Sequence, residues 1–539
     1  SWKFSTEELH SLQTEWLSQT KRTGNALSII DANGAKFSGY KLLAIVIYFA
    51  GKLAKNLTKQ QNIGVIFPAS SAGVIANLCL LCNGKTVVNL NYTAGEGSLR
   101  SAIKQADIKT IVTSRYFIDK LQGKGIDLTP VFADKTIIYL EDYKNKTAKM
   151  SIAQNLVLVR LLPTFLLKLL FIHESPVNST AAILFSSGSE GTPKGVELTH
   201  RNLLSNVKQV SSVLAMQESD VVLNSLPLFH AFGLTVTTFM PLIQSIPMAC
   251  YPDPTNSLAI AQLIYRNKIT LFCSTSTFLG MYCRNTRIHP MMLASLRLVI
   301  AGAEKLSSQV YDKFKKKFNL EIYEGYGATE VAPVASCNLP DVLSPDDWHV
   351  HQGNKPGTVG LPLPGCAFRI VDPITLEQLP IGEEGLVLIG GTQVMQGYLD
   401  DSEKTRSVLI KEGDFIWYKT GDKGRLDADG YLTIVDRYSR FAKIGGEMVS
   451  LGQVEQLAQQ VLDTPNLELM AVAFKDDKKG EQVVLLFSGE LTEEMATEKL
   501  LASDMPKLSL PRKIIKLESL PKLGNGKKDY ISAKKIVES

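Results

Sequence analysis

A loop rich in glycine and serine is the segment of this sequence best suited to bind phosphate. Residues 185–195 read FSSGSEGTPKG and directly follow the apolar run AAIL. Glycines allow neighbouring backbone N–H groups to point at one anion, hydroxyl groups add donors, and Lys194 adds a mobile positive charge. The spacing differs from that of a Walker A loop and from G-x-G-x-x-G. A plain surface turn would explain the glycines and serines but not the Lys-Gly ending, so we predict a phosphate-binding loop.

The elements that must position this loop follow an alternating pattern. From about residue 60, short apolar runs such as NIGVIF and TIVTS alternate with helix-length amphipathic segments, which indicates an α/β fold. Further along, short strands separated by Gly, Pro and Asp replace the helical signals, and a compact run of strands and helices ends the chain. We therefore predict an α/β protein with a large N-terminal domain of α/β subdomains (1–436), which includes a β-rich subdomain (about 357–436), and a small α+β C-terminal domain (442–539).

Composition and charge exclude several classes of protein. The 539 residues are 45% hydrophobic and 21% charged, which is close to the globular average and excludes a disordered, collagen-like or small disulfide-stapled chain. Lys and Arg number 58 against 53 Asp and Glu, so the net charge is only +5. This excess is too small to indicate a nucleic-acid-binding protein, and we expect no nucleic-acid partner.

The seven cysteines are scattered and mostly have apolar neighbours, as is typical of free thiols in a reducing compartment. We therefore expect a cytoplasmic location. Cys79 and Cys82 form a C-x-x-C pair, but they lie in the apolar helical run VIANLCLLC with no second pair or nearby histidine. We interpret them as core residues and not as a metal or redox site.

Beyond the loop, the chain contains a series of motifs that together resemble one family. SSGSEGTPKGV resembles the phosphate-loop signature of the adenylate-forming acyl-activating enzymes, and further motifs follow in that family's order over nearly the whole chain. They are LPLFHAFGL from residue 226, AGAEKL from 301, EGYGATE from 324, PGTVGLPLPG from 356, YKTGD from 418, DRYSRFAKIGGEMVS from 436 and LGNGKKDY from 523.

Within that superfamily, the stretches FGLTVTTFMPL, CSTSTFLG, AGAEKL and RFAKIGGEMVS are most similar to one branch. It is the acyl-carrier-protein synthetase part of the bacterial bifunctional enzymes that also contain a 2-acylglycerophosphoethanolamine acyltransferase. On this resemblance, the chain is either a part of such a fusion that lacks the acyltransferase or a stand-alone relative.

The resemblance implies a two-step reaction that uses ATP and Mg²⁺. A carboxylate attacks the α-phosphate of ATP to give an acyl-adenylate and pyrophosphate, and a thiol then displaces AMP. The acid would be a fatty acid, and the thiol would be the phosphopantetheine of acyl carrier protein. A fatty acyl-CoA synthetase is the alternative, and a non-catalytic scaffold that binds nucleotide or carrier protein is a third reading. The presence of Glu330, Asp422 and Lys527 argues against the scaffold.

The resemblance also implies a set of nucleotide-binding residues. The loop would hold the phosphates, the AGAE stretch would line the adenine with Tyr326 as a stacking face, and Asp422 with Arg437 would bind the ribose hydroxyls. The full set is Ser186, Ser187, Gly188, Ser189, Gly191, Lys194, Gly302, Ala303, Glu304, Tyr326, Gly327, Asp422 and Arg437.

Four residues are implied to be catalytic. Glu330 would be the Mg²⁺ ligand, a hard carboxylate for a hard cation, and Thr329 would donate to the phosphates. Lys527 would bridge the substrate carboxylate and the α-phosphate. His230 would shape the acyl pocket and orient the carboxylate, although a histidine between aromatic residues is more often part of a core.

The resemblance further implies that the C-terminal domain rotates between the two half-reactions about a hinge at residues 437–441. Arg440 occupies the hinge position, whereas Asp436 and Ser439 depart from the family's common hinge pattern. After rotation, three residues would line the tunnel for the pantetheine arm: Lys443, Gly445 and Gly446.

The end of the chain is locally basic. Nine basic and two acidic residues lie between Lys507 and Lys535, a local net charge of +7. Such a patch favours an acidic protein such as acyl carrier protein. Coenzyme A phosphates, anionic lipid or a solvated face would account for it as well.

The most apolar segment of the chain is 156–172, LVLVRLLPTFLLKLLFI. Arg160, Pro163 and Lys168 interrupt it, and it is shorter than a usual membrane-spanning helix. It either packs on its own domain or lies in the interface of an anionic membrane with its basic side chains at the head groups. In the second case the protein would be peripheral on the inner face of a bacterial cytoplasmic membrane.

Overall fold

The structure is a computed structural model, and it describes most of the chain. The described residues are 10–57, 60–144, 146–186, 193–413, 415–444, 447–464, 467–476, 480–522 and 528–538.

A seven-stranded sheet carries the predicted phosphate loop. Five of its strands are parallel, and the two strands at the Lys194 end of the sheet run antiparallel to their neighbours. Two of the parallel strands, Thr86–Asn89 and Thr110–Thr113, are buried along their whole length, and such strands have no alternation of apolar and polar residues. In spatial order the strands are Gly397–Tyr398, Lys194–Thr199, Thr180–Ser186, Thr86–Asn89, Asn62–Val65, Thr110–Thr113 and Thr136–Tyr139.

A second sheet of the α/β type has nine strands. Its six central strands are parallel, and a core that includes Phe272, Tyr282 and Phe314 packs between this sheet and its helices. The strands in order are Leu361–Pro362, Val334–Cys337, Tyr323–Gly327, Leu298–Ala301, Leu271–Ser274, Val222–Asn224, Met248–Cys250, Leu27–Ile30 and Lys36–Ser38. The two parallel-strand sheets confirm the α/β prediction.

The region predicted to be rich in strands contains a further sheet. Its strands are Cys366–Val371, Gly385–Gly391, Phe415–Leu426 and Leu409–Glu412 in order, with Leu432–Arg437 paired to the third. Two short strands of the same region belong elsewhere, because Leu361–Pro362 and Gly397–Tyr398 pair with the two α/β sheets. A separate two-stranded hairpin consists of Val342–Leu343 and Val350–His351.

The last sheet has helices on both faces. Leu485 and Phe487 belong to one apolar cluster, whereas Val484 and Leu486 belong to another, as the period of two in a strand requires. This small α+β arrangement agrees with the predicted C-terminal fold. Its strands in order are Glu447–Ser450, Phe441–Ile444, Gly480–Ser488 and Glu468–Asp476, with Lys513–Lys516 parallel to the third.

Helices connect and cover these sheets, and several begin at a hydroxyl cap, such as Ser70, whose side chain accepts from the N–H of Gly73. The α-helices are Leu12–Thr23, Gly39–Ala54, Ser71–Cys82, Glu96–Gln105, Arg115–Gln122, Thr129–Phe132, Lys146–Leu161, Thr164–Phe171, His200–Val213, Met240–Gln244, Ser257–Asn267, Ser276–Arg284, Ser308–Phe318, Ser402–Val408, Leu451–Leu462, Glu493–Leu501 and Tyr530–Glu538. Shorter 3₁₀ turns are Leu140–Tyr143, Pro290–Leu293, Thr329–Val331 and Tyr438–Arg440, and Phe232–Phe239 is a π-helix.

The C-x-x-C pair lies in the buried helix Ser71–Cys82. Both thiols are buried, and burial raises the pKa of Cys82 to about 12. Among the described residues, no group of three or more His, Cys, Asp or Glu side chains could hold a metal ion. The interpretation of Cys79 and Cys82 as core residues is confirmed.

The segment 156–172 forms parts of two helices, because Pro163 begins a new helix after Leu161. In the described part of the chain, no helix has both the length and the apolar character to cross a bilayer.

The chain divides into two compact units. The first comprises the described residues within 1–188, 192–368 and 389–418, and the second those within 369–388 and 419–539. The proposed hinge at 437–441 and the domain boundaries on either side of it stay predictions.

Candidate active site

In the first unit, the ends of the predicted phosphate loop are set by a hairpin. The strands Thr180–Ser186 and Lys194–Thr199 are antiparallel, and Ser186 is paired with Lys194. Both side chains are half-buried. Residues 187–192 lie outside the described residues, so the predictions for four loop positions stay untested: Ser187, Gly188, Ser189 and Gly191.

Lys194 lies next to a tyrosine that the sequence did not single out. Its ammonium group is 5.6 Å from the centre of the Tyr398 ring, a cation–π distance. Tyr398 belongs to the strand Gly397–Tyr398, which pairs with Lys194–Thr199. The lysine at the loop end is therefore held beside an aromatic face.

The same tyrosine contacts the predicted metal ligand. Glu330 lies in the 3₁₀ turn Thr329–Val331 and is buried. The Tyr398 hydroxyl donates to Oε1 of Glu330 at 2.9 Å, and the N–H of Met395 donates to the Glu330 backbone carbonyl at 2.8 Å. Tyr398 thus brings together two predicted residues, Lys194 and Glu330. The tyrosine belongs to the stretch QGYLD, which contains no motif that would have indicated its role.

This site fits a magnesium ion by its chemistry. Mg²⁺ in nucleotide sites is bound by one or two carboxylates together with phosphate oxygens, so a cluster of several acidic side chains is not needed. The Glu330 carboxylate is oriented by a hydrogen bond from a neutral donor and is not neutralised by that contact. Glu330 would hold the cation, and Thr329 at the start of the turn is half-buried beside it in the chain.

The strand before this turn passes close to neighbouring backbone. At Gly327, a Cβ atom would come within 1.8 Å of the carbonyl oxygen of Pro333, so no larger residue fits there. The Tyr326 ring lies 6.5 Å from the ring of Phe368, centre to centre. Its stacking on adenine stays a prediction.

The AGAE stretch follows the strand Leu298–Ala301, at its carboxyl end. Gly302 is buried, and a Cβ on it would lie 3.2 Å from the Phe232 ring. Ala303 is exposed, with a φ of 69°. The carboxylate of Glu304 accepts from the N–H of Thr277 in the first turn of the helix Ser276–Arg284, where a negative charge is favourable. Glu304 therefore has a structural role that the motif did not reveal.

One half-buried carboxylate of this region was not indicated by the sequence. Glu324, in the motif EGYGATE, accepts from the N–H of Leu306 at 3.2 Å. Burial raises the pKa of its carboxyl above the usual value. Perturbed carboxyls of this kind are frequent near functional sites.

His230 lies beside aromatic rings. Its imidazole is half-buried and 4.7 Å from the Phe229 ring, which in turn lies 5.1 Å from Tyr92. The π-helix Phe232–Phe239 begins two residues later, and such helices are rare and often found at functional sites. The packing agrees with both a pocket wall and a core position, so the role of His230 stays a prediction.

In the second unit, the two residues predicted to bind the ribose contact each other, and their role in ribose binding stays a prediction. Asp422 and Arg437 are partners on adjacent strands, and Nε of Arg437 donates to Oδ1 of Asp422 at 2.9 Å. The Asp422 carboxylate is buried, whereas the arginine side chain is largely exposed. The guanidinium holds the Asp422 carboxylate in place. A buried, ionised carboxylate that is held in this way is well suited to accept hydrogen bonds from hydroxyl groups.

Asp436, which departs from the family's hinge pattern, caps a helix. Its Oδ2 accepts from the hydroxyl of Ser450 at 2.6 Å and from the N–H of Gly452 at 2.7 Å, at the start of Leu451–Leu462. A carboxylate at a helix N-terminus is favourable for its charge and for its hydrogen bonds. The residue therefore stabilises the small domain.

Arg440, at the predicted hinge position, belongs to a polar network centred on Glu455. Arg440 donates to this carboxylate at 2.8 Å, Lys528 at 2.9 Å and the Tyr530 hydroxyl at 3.0 Å. The Arg440 guanidinium also lies 4.2 Å from the centre of the Tyr530 ring. Burial and the Glu455 charge raise the pKa of Tyr530, so its hydroxyl stays a donor.

Three predicted positions of the small domain lie outside the described residues: Gly445, Gly446 and Lys527. Lys443 is described, and its side chain is exposed on the strand Phe441–Ile444. Its place in a pantetheine tunnel stays a prediction.

Comparison with known proteins places these residues in a family. A model of the AMP-binding enzymes matches residues 16–399. A long-chain-fatty-acid–CoA ligase of Bacillus subtilis is 27% identical over 520 residues, which cover 92% of this chain and 89% of the relative. A probable 4-coumarate–CoA ligase 1 of Dictyostelium discoideum is 31% identical over 417 residues, 75% of this chain and 72% of the relative.

Solved structures show the same fold. ATP-bound MatB from Rhodopseudomonas palustris has a TM-score of 0.80 at 23% identity and covers 98% of this chain and 99% of its own. The o-succinylbenzoate CoA synthetase MenE of Bacillus subtilis, in complex with ATP and magnesium, has a TM-score of 0.78 at 21% identity, with 97% and 99% covered. AMP-binding enzymes use ATP with Mg²⁺, which confirms the expected cofactors. The chain belongs to the AMP-binding enzyme family and is an adenylate-forming, acyl-activating ligase.

Proposed function

We propose that this ligase converts a fatty acid to its acyl-adenylate and passes the acyl group to the phosphopantetheine thiol of acyl carrier protein. The formation of the acyl-adenylate is supported by the contacts among Lys194, Tyr398 and Glu330. In this group, one tyrosine contacts both a cation and a buried carboxylate. Bringing a carboxylate to a triphosphate requires positive charge around the phosphates and a fixed geometry.

In the proposed first step, an oxygen of the fatty-acid carboxylate forms a bond to the α-phosphorus of ATP, and the bond to pyrophosphate breaks. Lys194 binds phosphate oxygens, and Tyr398 fixes the orientation of both Lys194 and Glu330. Mg²⁺ held by Glu330 would supply further positive charge to the phosphates. Lys527 neutralises the charge that develops between the two substrates, and Asp422 with Arg437 holds the ribose.

A long acyl chain as substrate is supported by one relative. The Bacillus subtilis protein named a long-chain-fatty-acid–CoA ligase aligns over 92% of this chain, further than the Dictyostelium 4-coumarate–CoA ligase. Its name also favours the second candidate function, a fatty acyl-CoA ligase, in which coenzyme A takes the place of acyl carrier protein.

The surface charge of the small domain supports acyl carrier protein as the acceptor of the acyl group. Lys507, Arg512, Lys513 and Lys516 are exposed near one another in sequence. Two other lysines of the basic stretch are engaged in ion pairs, Lys522 with Glu468 and Lys528 with Glu455. Two of the nine basic side chains are thus engaged, whereas Lys534 and Lys535 are exposed like those of the strand Lys513–Lys516, and these exposed cations would attract an acidic protein.

Fatty-acid-dependent AMP release tests the proposal directly. The purified chain is given ATP, Mg²⁺ and a long-chain fatty acid, with either holo-acyl carrier protein or coenzyme A as the acceptor. Turnover with the carrier protein is expected. Turnover with coenzyme A alone would instead establish the acyl-CoA ligase, and no pyrophosphate exchange with any fatty acid would exclude the fatty acid as substrate.

A matched pair of variants tests whether acyl carrier protein binds at the strand Lys513–Lys516. Lys513→Glu/Lys516→Glu reverses two exposed charges on it, and Lys313→Glu/Lys316→Glu reverses two exposed charges in the first unit. The first variant is expected to raise KM for acyl carrier protein about tenfold and to leave pyrophosphate exchange unchanged. An equal effect of both variants would show that overall charge, and not this strand, attracts the carrier.

A further inference from the structure

Exposed apolar side chains are concentrated on two consecutive helices, Lys146–Leu161 and Thr164–Phe171. Seven large apolar residues are exposed there, and the most exposed are Leu161 at 76%, Phe165 at 67% and Leu169 at 77%. We call this set the apolar helix face; it consists of Met150, Val157, Leu158, Leu161, Phe165, Leu169 and Leu170.

The positions on the first helix follow one side of it. At 100° per residue, Met150, Val157 and Leu161 lie within about 40° of one another, and Val159 lies about 180° from Met150. Val159 is fully buried, as is Leu167 on the second helix. One side of the pair therefore packs on the protein, and the other presents apolar side chains to the surroundings. The buried side agrees with the packing that the sequence left open, and the membrane contact stays a prediction.

Hydrogen bonds anchor the two helices to other parts of the first unit. The ammonium group of Lys21 donates to the backbone carbonyls of Val159 at 2.6 Å and Leu162 at 2.9 Å, where the first helix ends. The side-chain amide of Asn155 donates to the carbonyl of Ala44 at 3.3 Å. The apolar helix face is thus presented by anchored helices.

The only charged residues of the two helices are basic, and Lys168 among them is ion-paired to Glu174 just beyond their end. Between residues 144 and 173 the sequence contains five basic residues and no acidic one. Lys149 and Arg160 are exposed. Asn56 donates to the hydroxyl of Tyr143, which brings the end of the helix Gly39–Ala54 to the start of this pair. Two more exposed lysines lie at that end: Lys52 and Lys55.

We propose that the apolar helix face docks on an anionic lipid bilayer, with its apolar side chains in the interface and its basic side chains at the head groups. Apolar residues on one side of a short helix, flanked by Lys and Arg, are the combination that binds such surfaces without spanning them. The charge decides between possible occupants, because a second copy of this chain would present the same positive charge. This docking goes beyond the ligase activity and does not depend on it.

Flotation of this chain with vesicles tests the docking. Vesicles of phosphatidylcholine alone are compared with vesicles that also contain phosphatidylglycerol. The test variant is Leu161→Ser/Phe165→Ser/Leu169→Ser. The matched control is Val342→Ser/Leu343→Ser/Trp348→Ser on the exposed hairpin, whose side chains are 60%, 51% and 75% exposed. The parent chain is expected to float with anionic vesicles, and the test variant to lose about tenfold or more of this partitioning while the control does not.

A charge variant and a solution measurement complete the test. Lys149→Gln/Arg160→Gln is expected to reduce flotation with anionic vesicles and to leave the melting temperature unchanged. The proposal is overturned if the parent chain floats with neither vesicle or equally with both. It is also overturned if the test variant and the control lose binding equally. If the triple serine variant instead converts a dimer to a monomer without lipid, the face is a contact between copies and the lipid assignment fails.

Discussion

The hydroxyl of Tyr398 donates a hydrogen bond of 2.9 Å to Oε1 of Glu330, and the ring of the same tyrosine lies 5.6 Å from the ammonium group of Lys194. The three residues come from distant parts of the chain and meet because the strand Gly397–Tyr398 pairs with Lys194–Thr199. One side chain therefore sets the geometry of both a proposed metal ligand and a proposed phosphate ligand.

Tyr398→Phe is expected to lower the rate of adenylate formation about tenfold to hundredfold. It removes the hydrogen bond to the Glu330 carboxylate and keeps the ring beside Lys194, so the expected loss of rate follows from the missing hydroxyl. ATP–pyrophosphate exchange measures the effect, and Tyr265→Phe, an exposed tyrosine, is the control. If Tyr398→Phe is as active as the parent chain, the tyrosine does not orient Glu330 for catalysis.

Lys527→Ala is expected to abolish adenylate formation nearly completely and to spare thioester formation from preformed acyl-AMP, because the proposed charge neutralisation is needed only in the first step. The neighbour provides the comparison, since Lys528 is ion-paired to Glu455. Lys528→Ala is expected to keep adenylation. Equal loss of both half-reactions in Lys527→Ala would refute the assignment.

Glu455→Gln is expected to destabilise the small domain by about 2 to 3 kcal/mol, because Arg440, Lys528 and Tyr530 all donate to this carboxylate and Arg440 is largely buried. Hydrogen exchange in the helix Leu451–Leu462 reports this local stability. Glu498→Gln, an exposed position of the same domain, serves as the control. Unchanged protection in Glu455→Gln would show that the network contributes little.

The free energy of unfolding is expected to fall as the pH decreases through the range in which His200 titrates. Burial lowers the pKa of His200 from 6.5 to about 4, and its Nδ1 accepts from the N–H of Leu12. The unfolded state therefore binds more protons than the folded state in this range. The stabilisation is complete above about pH 6.5 and is lost as the pH falls through 4.

His200→Gln should remove about 3 kcal/mol of this pH dependence, which urea titrations at several pH values would measure. His351→Gln, at an exposed position, is the control. If the two variants have the same pH dependence, another group is responsible for the acid sensitivity.

The local patterns of the sequence were sufficient for the fold class and for the order of the motifs. Buried parallel strands such as Thr86–Asn89 are recognisable as short, mostly apolar runs, because both of their faces are covered. The C-x-x-C pair was also predicted correctly as part of a core helix. The motifs also indicated Asp422 and Arg437 as partners, and the structure joins the two side chains through a hydrogen bond.

Tertiary structure decided which residues act together and which charges are engaged. Tyr398 and Glu455 have no local signature, since their importance comes from partners that are 68 and 75 residues away at Glu330 and Tyr530. The sequence count of basic residues could not separate the ion-paired Lys528 from the exposed Lys513. Periodicity reports the burial of one element, whereas hydrogen bonds and ion pairs between distant elements depend on how the chain folds, and no local pattern encodes them.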